Sequence, residues 1–258
     1  MSTGMTTALY DTGSDAIRDL LGIIEYSVNN DARTLQTDLG PSELGVGCDR
    51  CLVHLLAGHL KRENGLPWLP TIGNAVHDWL EVAVLQHLMR TGSDRYLPEG
   101  KVAVGQLRGR DVTGHSDVFD THTGTVVDWK IVGATTLKKV RAGGASITYR
   151  RQAHMYGRGW AAAGYDVREV AIAFLPRNAM TLRDGKAWTE PYDEQVALDA
   201  LARANALAAG VDTFGADAVL AACPPHTGLE FTCAVWPSDP APTTDAAIAR
   251  QTAGLIPA

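Results

Sequence analysis

The chain has 258 residues, an apolar fraction of 45% and a formal net charge of −6. That length suits one domain with elaborations and a full hydrophobic core, and no apolar run approaches the length of a membrane span. The acidic balance excludes a uniformly basic nucleic-acid binder, and the mostly polar 1–13 stretch lacks the apolar centre of a secretion signal, so a cytoplasmic location without membrane partners is expected.

Taken in chain order, hydrophobic spacing predicts a helix over 15–29 and helical segments between 42 and 60. The latter contain Cys48-x-x-Cys51, a metal-type spacing. A further helix is predicted over 72–90, because Ile72, Val76, Trp79, Leu80, Ala83, Val84 and Leu88 recur at helical intervals. His77 and Glu81 stand four residues apart on it and share a face. A lone helical histidine is more often structural than a ligand; it gains weight only beside a metal site.

Strands are predicted over 102–107, 112–120 and 125–132, the last two joined through Thr121-His122-Thr123-Gly124 as a hairpin. Here the chemistry concentrates. Asp128 and Lys130 are two apart on a strand, so they point to the same face, and the hairpin brings Asp117 alongside. A D-x-K on a strand is also common as a solvated edge pair. The flanks Val126, Val127, Ile131 and Val132 argue for a central strand instead, where an unused charge pair is costly. Two acids and a lysine on one face make a divalent-metal site with a cation beside it, suited to attack on a phosphodiester.

Helices over 135–140 and 147–163 follow. Gln152 and Tyr156 are four apart on the second, either a partly buried helix face or an amide and a phenol reaching the site. From Trp129 to Tyr165 there is no acid, while Lys138, Lys139, Arg141, Arg150, Arg151 and Arg158 lie there with Lys130. Such a run is usually a solvated face; because this one begins at the proposed catalytic lysine, a phosphate-tracking groove is expected. A strand over 169–175, two short strands flanking Asp184-Gly185, a helix over 194–208 and a short helix over 216–222 complete the prediction. No phosphate-loop motif occurs, since Gly185-Lys186 is followed by Ala187.

The order G-x-x-x-H on a helix (Gly73 to His77), G-x-x-D on a strand (Gly114 to Asp117), D-x-K on the next (Asp128 to Lys130) and Q-x-x-x-Y on a following helix resembles the RecB-type nucleases of the PD-(D/E)xK superfamily. Pro41-Ser42-Glu43-Leu44 before Cys48-Asp49-Arg50 is similar to the start of its iron–sulfur branch, which contains CRISPR-adaptation exonucleases and AddAB-type nuclease domains. The resemblance runs over about 41–237. It implies an α/β, restriction-endonuclease-like core, a mixed central sheet flanked by helices, with a helical, metal-stapled cap. It implies Mg²⁺ or Mn²⁺ held by His77, Asp117, Asp128 and the Trp129 carbonyl, with Asp117, Asp128, Lys130, Gln152 and Tyr156 catalytic and Glu81 a weaker addition. The implied activity is a DNA exonuclease acting on single-stranded or duplex ends, alone or within a recombination, repair or CRISPR assembly.

Cys48, Cys51, Cys223 and Cys233 are expected to form one site. Four thiolates take Zn²⁺ or a four-iron, four-sulfur cluster equally well on ligand grounds; the resemblance implies the cluster. The family places one cysteine before the core and three after it, whereas here the split is two and two. Zinc and four unrelated buried thiols therefore stay open, with His54 and His226 as spare ligands. The expected division is an N-terminal helical segment (1–70), a nuclease core (71–212), a C-terminal cysteine segment packing on the N-terminal region (213–236) and a poorly ordered tail (237–258). Two rival readings remain: a non-catalytic DNA-binding recombination accessory, and a zinc-stabilised interaction module in which Asp128 and Lys130 are a structural ion pair.

Overall fold

A computed structural model describes residues 14–30, 38–61, 68–226, 233 and 235–236; the expected tail at 237–258 lies outside them. The described residues fall into two compact units, one drawn from 1–38 and 63–75, the other from 39–62 and 76–258. Helix α1 (Asp15–Asn29) belongs to the first. The first cysteine pair belongs to the same unit as the sheet and the catalytic candidates. Among the described residues, no helix is long and apolar enough to cross a membrane.

Helices α2 (Pro41–Leu44), α3 (Asp49–Leu56) and α4 (Trp68–Thr91) precede strands β1 (Tyr96–Leu107), β2 (Arg110–Asp120) and β3 (Thr125–Val132). Helices α5 (Ala134–Gly143) and α6 (Ile147–Ala162) lead to β4 (Glu169–Pro176) and β5 (Lys186–Pro191), and α7 (Glu194–Phe214) and α8 (Ala216–Ala222) follow. The five strands form one mixed sheet in chain order. Neighbours are antiparallel except β3 and β4. A parallel pair needs a crossover, and α5 with α6 supplies it. The result is the expected α/β arrangement, a mixed central sheet flanked by helices.

β3 lies between β2 and β4, with Val126 and Val132 buried on the face that carries Asp128 and Lys130, and Val127, Trp129 and Ile131 half-buried on the other. The core gathers Val104, Phe119, Val126, Ile172 and Phe174 from the sheet with Met155 and Trp160 from α6. α7 closes it through Ala197, Ala200, Ala204 and Ala208, a stripe of small residues at helical spacing. The β2–β3 turn depends on Gly124, whose φ is 70° and where a Cβ would stand 2.3 Å from the Asp166 carbonyl oxygen.

Three elements differ most from the sequence prediction. β1 begins at Tyr96, not at 102, and α7 runs to Phe214, not to 208. Leu182–Asp184 is a 3-10 turn, so only one strand adjoins Asp184-Gly185.

Candidate active site and metal-ligand clusters

The β2–β3 ladder places two aspartates abreast. Val118 pairs with Val127, and the next residue along from that rung is Asp117 on β2 and Asp128 on β3. Asp117 Oδ2 accepts the Trp129 amide hydrogen at 2.6 Å, so a carboxylate continues the strand pairing. Both acids are buried, Asp117 at 8% exposure and Asp128 at 2%. Lys130 Nζ lies 2.5 Å from Asp128 Oδ2, as the same-face D-x-K spacing requires. The contact acts chiefly as a charge pair, since Oδ2 has no hydrogen-bond partner of good angle. Burial pushes the Asp128 carboxyl up from its ordinary range, and the Asp117 charge adds to this while Lys130 opposes it. Burial would lower Lys130, but the charges of Asp128 and Asp117 outweigh it and keep the ammonium protonated.

His77, on α4, turns Nδ1 to within 3.0 Å of Asp117 Oδ1. Burial disfavours its charged form, yet the hydrogen bond and charge of Asp117 raise its pKa overall. Glu99 completes this corner, with no motif around it to mark it beforehand. It lies between the paired rungs Pro98–Val118 and Gly100–Ser116, abreast of Asp117. Donor atoms of His77, Glu99 and Asp117 lie within 4.8 Å of one another. Asp128 is outside that group and faces Lys130 instead. Glu81, the weaker expectation, is also outside it.

Gln152 and Tyr156 are buried on α6, with Gln152 Nε2 donating to the Tyr156 hydroxyl at 3.4 Å. Burial raises the Tyr156 pKa, and the charges of Asp128, Asp117 and Glu43 push it further, so the phenol stays a proton donor. Gly114 makes room for it: a Cβ there would stand 3.0 Å from the Tyr156 ring and 2.8 Å from Pro41. Tyr149 is a second residue not foreseen. It shares the α6 face of Gln152 and Tyr156, and Lys130 Nζ lies 5.5 Å from its ring centre.

Much of the basic segment is engaged within the chain. Lys138 and Lys139 are exposed on α5, and Arg141 donates to the Asp184 carbonyl. The other three arginines are engaged internally. Arg150 pairs with Glu190, Arg151 donates to the Val46 carbonyl at 3.3 Å, and Arg158 to the Val104 carbonyl at 2.8 Å. The physical reason is position: all three lie on the buried helix α6, where a guanidinium must find a partner.

The cysteine group also differs from expectation. Sγ of Cys48, Cys51 and Cys233 and a ring nitrogen of His226 lie within 4.8 Å of one another. Cys223 stands outside, and burial raises its thiol pKa. His226, a spare candidate on sequence, takes its place. Cys48 caps α3 and Cys51 sits in its first turn, where backbone N–H groups favour thiolates. Hydrogen bonds from Cys233 and Cys51 hold the Cys48 thiol far below its ordinary range, against the effect of burial. This Cys₃His set is able to hold a metal.

No family model matches the chain, and no curated protein matches it in sequence. Among solved structures, it is similar to an alkaline exonuclease (LHK-Exo) from Laribacter hongkongensis, at 11% identity and a TM-score of 0.46, covering 72% of this chain and 91% of that one. The same exonuclease in complex with dAMP gives 11% and 0.44, with the same coverage. SSO0001 gives 13% identity and a TM-score of 0.42, covering 77% of this chain and 86% of that one.

Proposed function

We propose that this chain is a divalent-metal-dependent nuclease of the PD-(D/E)xK type that hydrolyses DNA from single-stranded or frayed ends. The observation that carries the reading is the convergence of Asp117, Asp128 and Lys130 at adjoining positions of β2 and β3, with His77 held on Asp117. Buried acids crowded this closely are costly unless a cation neutralises them.

The donor set fits a hard cation. Carboxylate oxygens dominate, with one imidazole, which suits Mg²⁺ or Mn²⁺. His77, Asp117 and Glu99, whose donor atoms lie within 4.8 Å of one another, would hold it, and Asp128, abreast of Asp117, would join them with the Trp129 carbonyl on turning from Lys130. When bound, the ion supplies Lewis acidity and a more acidic bound water. Hydrolysis bonds a water oxygen to phosphorus and breaks one ester P–O bond. Lys130, kept protonated by two carboxylates, stabilises the negative charge that grows on the phosphate oxygens. Tyr156 and Gln152 offer an O–H and an amide N–H for phosphate oxygens or for ordering Lys130. Exposed Lys138 and Lys139 give a strand its first phosphate contacts.

Purified protein with Mn²⁺, given end-labelled linear DNA and covalently closed circular DNA, tests the reading. Label release from the linear substrate with the circle left intact is the expected result. Cleavage of the circle would change the mode to endonuclease, and no metal-dependent cleavage of either would remove the activity.

A further inference from the structure

The donor geometry of the cysteine group decides between its two candidate occupants. In a tetrahedral zinc site with Zn–S of about 2.3 Å and Zn–N of about 2.0 Å, sulfurs stand about 3.8 Å apart and sulfur and nitrogen about 3.5 Å. In a four-iron, four-sulfur cluster each thiolate binds a different iron, which spreads the ligand sulfurs to roughly 6 Å. Here Cys51 Sγ lies 3.6 Å from Cys233 Sγ. His226 Nδ1 lies 3.3 Å from Cys48 Sγ and 3.4 Å from Cys51 Sγ. All four donors fall within 4.8 Å of one another. The spacing matches one ion and leaves no room for a cube of eight atoms.

We infer that Cys48, Cys51, Cys233 and His226 bind a single tetrahedral Zn²⁺ through three thiolates and one imidazole nitrogen. The iron–sulfur cluster implied by the family resemblance does not fit these residues.

The surroundings are those of a closed structural site. Cys48, Cys51 and Cys233 are buried with Val46, Val235 and Trp236 in an apolar cluster of their own. His226 is held in a ring stack: buried His54 lies parallel to it at 6.3 Å between centres, and Trp236 lies parallel to His54 at 4.7 Å. Such a stack fixes the imidazole orientation that a ligand needs. Arg50, between the two N-terminal cysteines, donates to the Leu220 carbonyl at 2.6 Å. It brings the end of α8 to α3, which sets the approach of the chain to His226. The ion would join α3 to residues about 180 positions later, as the Cys51–Cys233 separation of 182 gives, so its binding energy is folding energy. The site shares no residue with the nuclease group, and its test does not depend on activity.

The test is metal content and the spectrum of the cobalt-substituted full-length protein. Anaerobically purified protein should be colourless with one zinc per chain. Cobalt replacement should give the intense visible bands of a tetrahedral sulfur-rich site, reversed by zinc. Cys223→Ser should keep one zinc and the same thermal midpoint. His226→Ala should weaken zinc binding by more than the roughly 10–100-fold cost of losing an outer-shell partner. His226→Cys should still bind, with its cobalt bands shifted towards those of a four-thiolate site. A brown protein with four irons, lost in Cys223→Ser and kept in His226→Ala, would overturn the zinc assignment. So would wild-type protein that takes up neither zinc nor cobalt and melts unchanged after chelation. If a variant fails to fold, the wild-type protein alone decides: one zinc and no iron as purified, with tetrahedral cobalt bands after exchange, supports the site, and four irons or no metal uptake overturns it.

Discussion

Each side chain at the candidate site is set by a neighbour of opposite demand. Asp128 is held in a buried position by Lys130, and Asp117 is shared between His77 and the Trp129 amide. Asp117→Asn and Lys130→Ala are each expected to lower Mn²⁺-dependent cleavage at least about a hundredfold, while leaving DNA retention in a filter assay largely intact. His77→Ala should act through metal affinity, so its activity should recover partly as Mn²⁺ is raised. Glu99→Gln should follow the same pattern more weakly, and a flat Mn²⁺ response in either would place that residue outside the metal shell. A different pair sets acid stability. Arg95 reaches Asp120 at 2.9 and 2.6 Å, and its hydrogen bonds lower that carboxyl from 3.8 to about 2. A depressed folded pKa contributes stability above the unfolded value that is lost as pH falls through the folded one. The melting difference between wild type and Asp120→Asn should therefore be full above about pH 4 and shrink towards pH 2. A difference constant across that window would separate Asp120 from acid unfolding.

At the scale of elements, the β2–β3 hairpin carries the acids, and its turn admits only glycine at 124 without strain. Gly124→Ala would force a Cβ against the Asp166 carbonyl at φ 70°. A loss of roughly 1–3 kcal/mol in denaturant unfolding is expected, and an unchanged midpoint would show that the turn adapts. This hairpin was legible in the sequence because alternation, a Thr-Gly turn and apolar flanks agreed. The helices were legible from their apolar spacing. Glu99 was not, because Pro98-Glu99-Gly100 reads as a turn, while the structure keeps the strand going through it with Glu99 at φ 47°. Tyr149 lies one helical turn before Gln152, so the helix face itself was the available signal. His226 was named on sequence only as a spare ligand, since thiol spacing pointed to Cys223. What selects it is a ring stack with His54 and Trp236, which exists only once α3 and the C-terminal residues meet. The start of β1 follows its pairing with β2, Tyr96 opposite Asp120, and the last turns of α7 are tied by Asp212 to Arg108 just after β1, contacts that local pattern does not report.

Across the whole molecule, charge is distributed against the net balance of −6. Lys138, Lys139 and Arg141 are exposed on the crossover helix α5, while Arg150, Arg151 and Arg158 hold α6 to its neighbours. Replacing Lys138 and Lys139 by Gln should flatten the slope of log K against log salt by about 1–2 units, at roughly 0.7–0.9 per phosphate contact. Replacing Arg150 and Arg151 should lower thermal stability first. An unchanged salt slope in the lysine double variant would make α5 a solvated face only. If the β2–β3 face hydrolyses DNA with a bound divalent ion, Asp128, its most deeply buried acid, is indispensable. The most direct measurement is release of acid-soluble label from end-labelled linear DNA by wild type and Asp128→Asn, with Mn²⁺ and with chelator. Wild type should release label only with Mn²⁺, and a folded Asp128→Asn protein that still binds DNA should release only background. Equal release by the two proteins, or none by wild type with Mn²⁺, would contradict it.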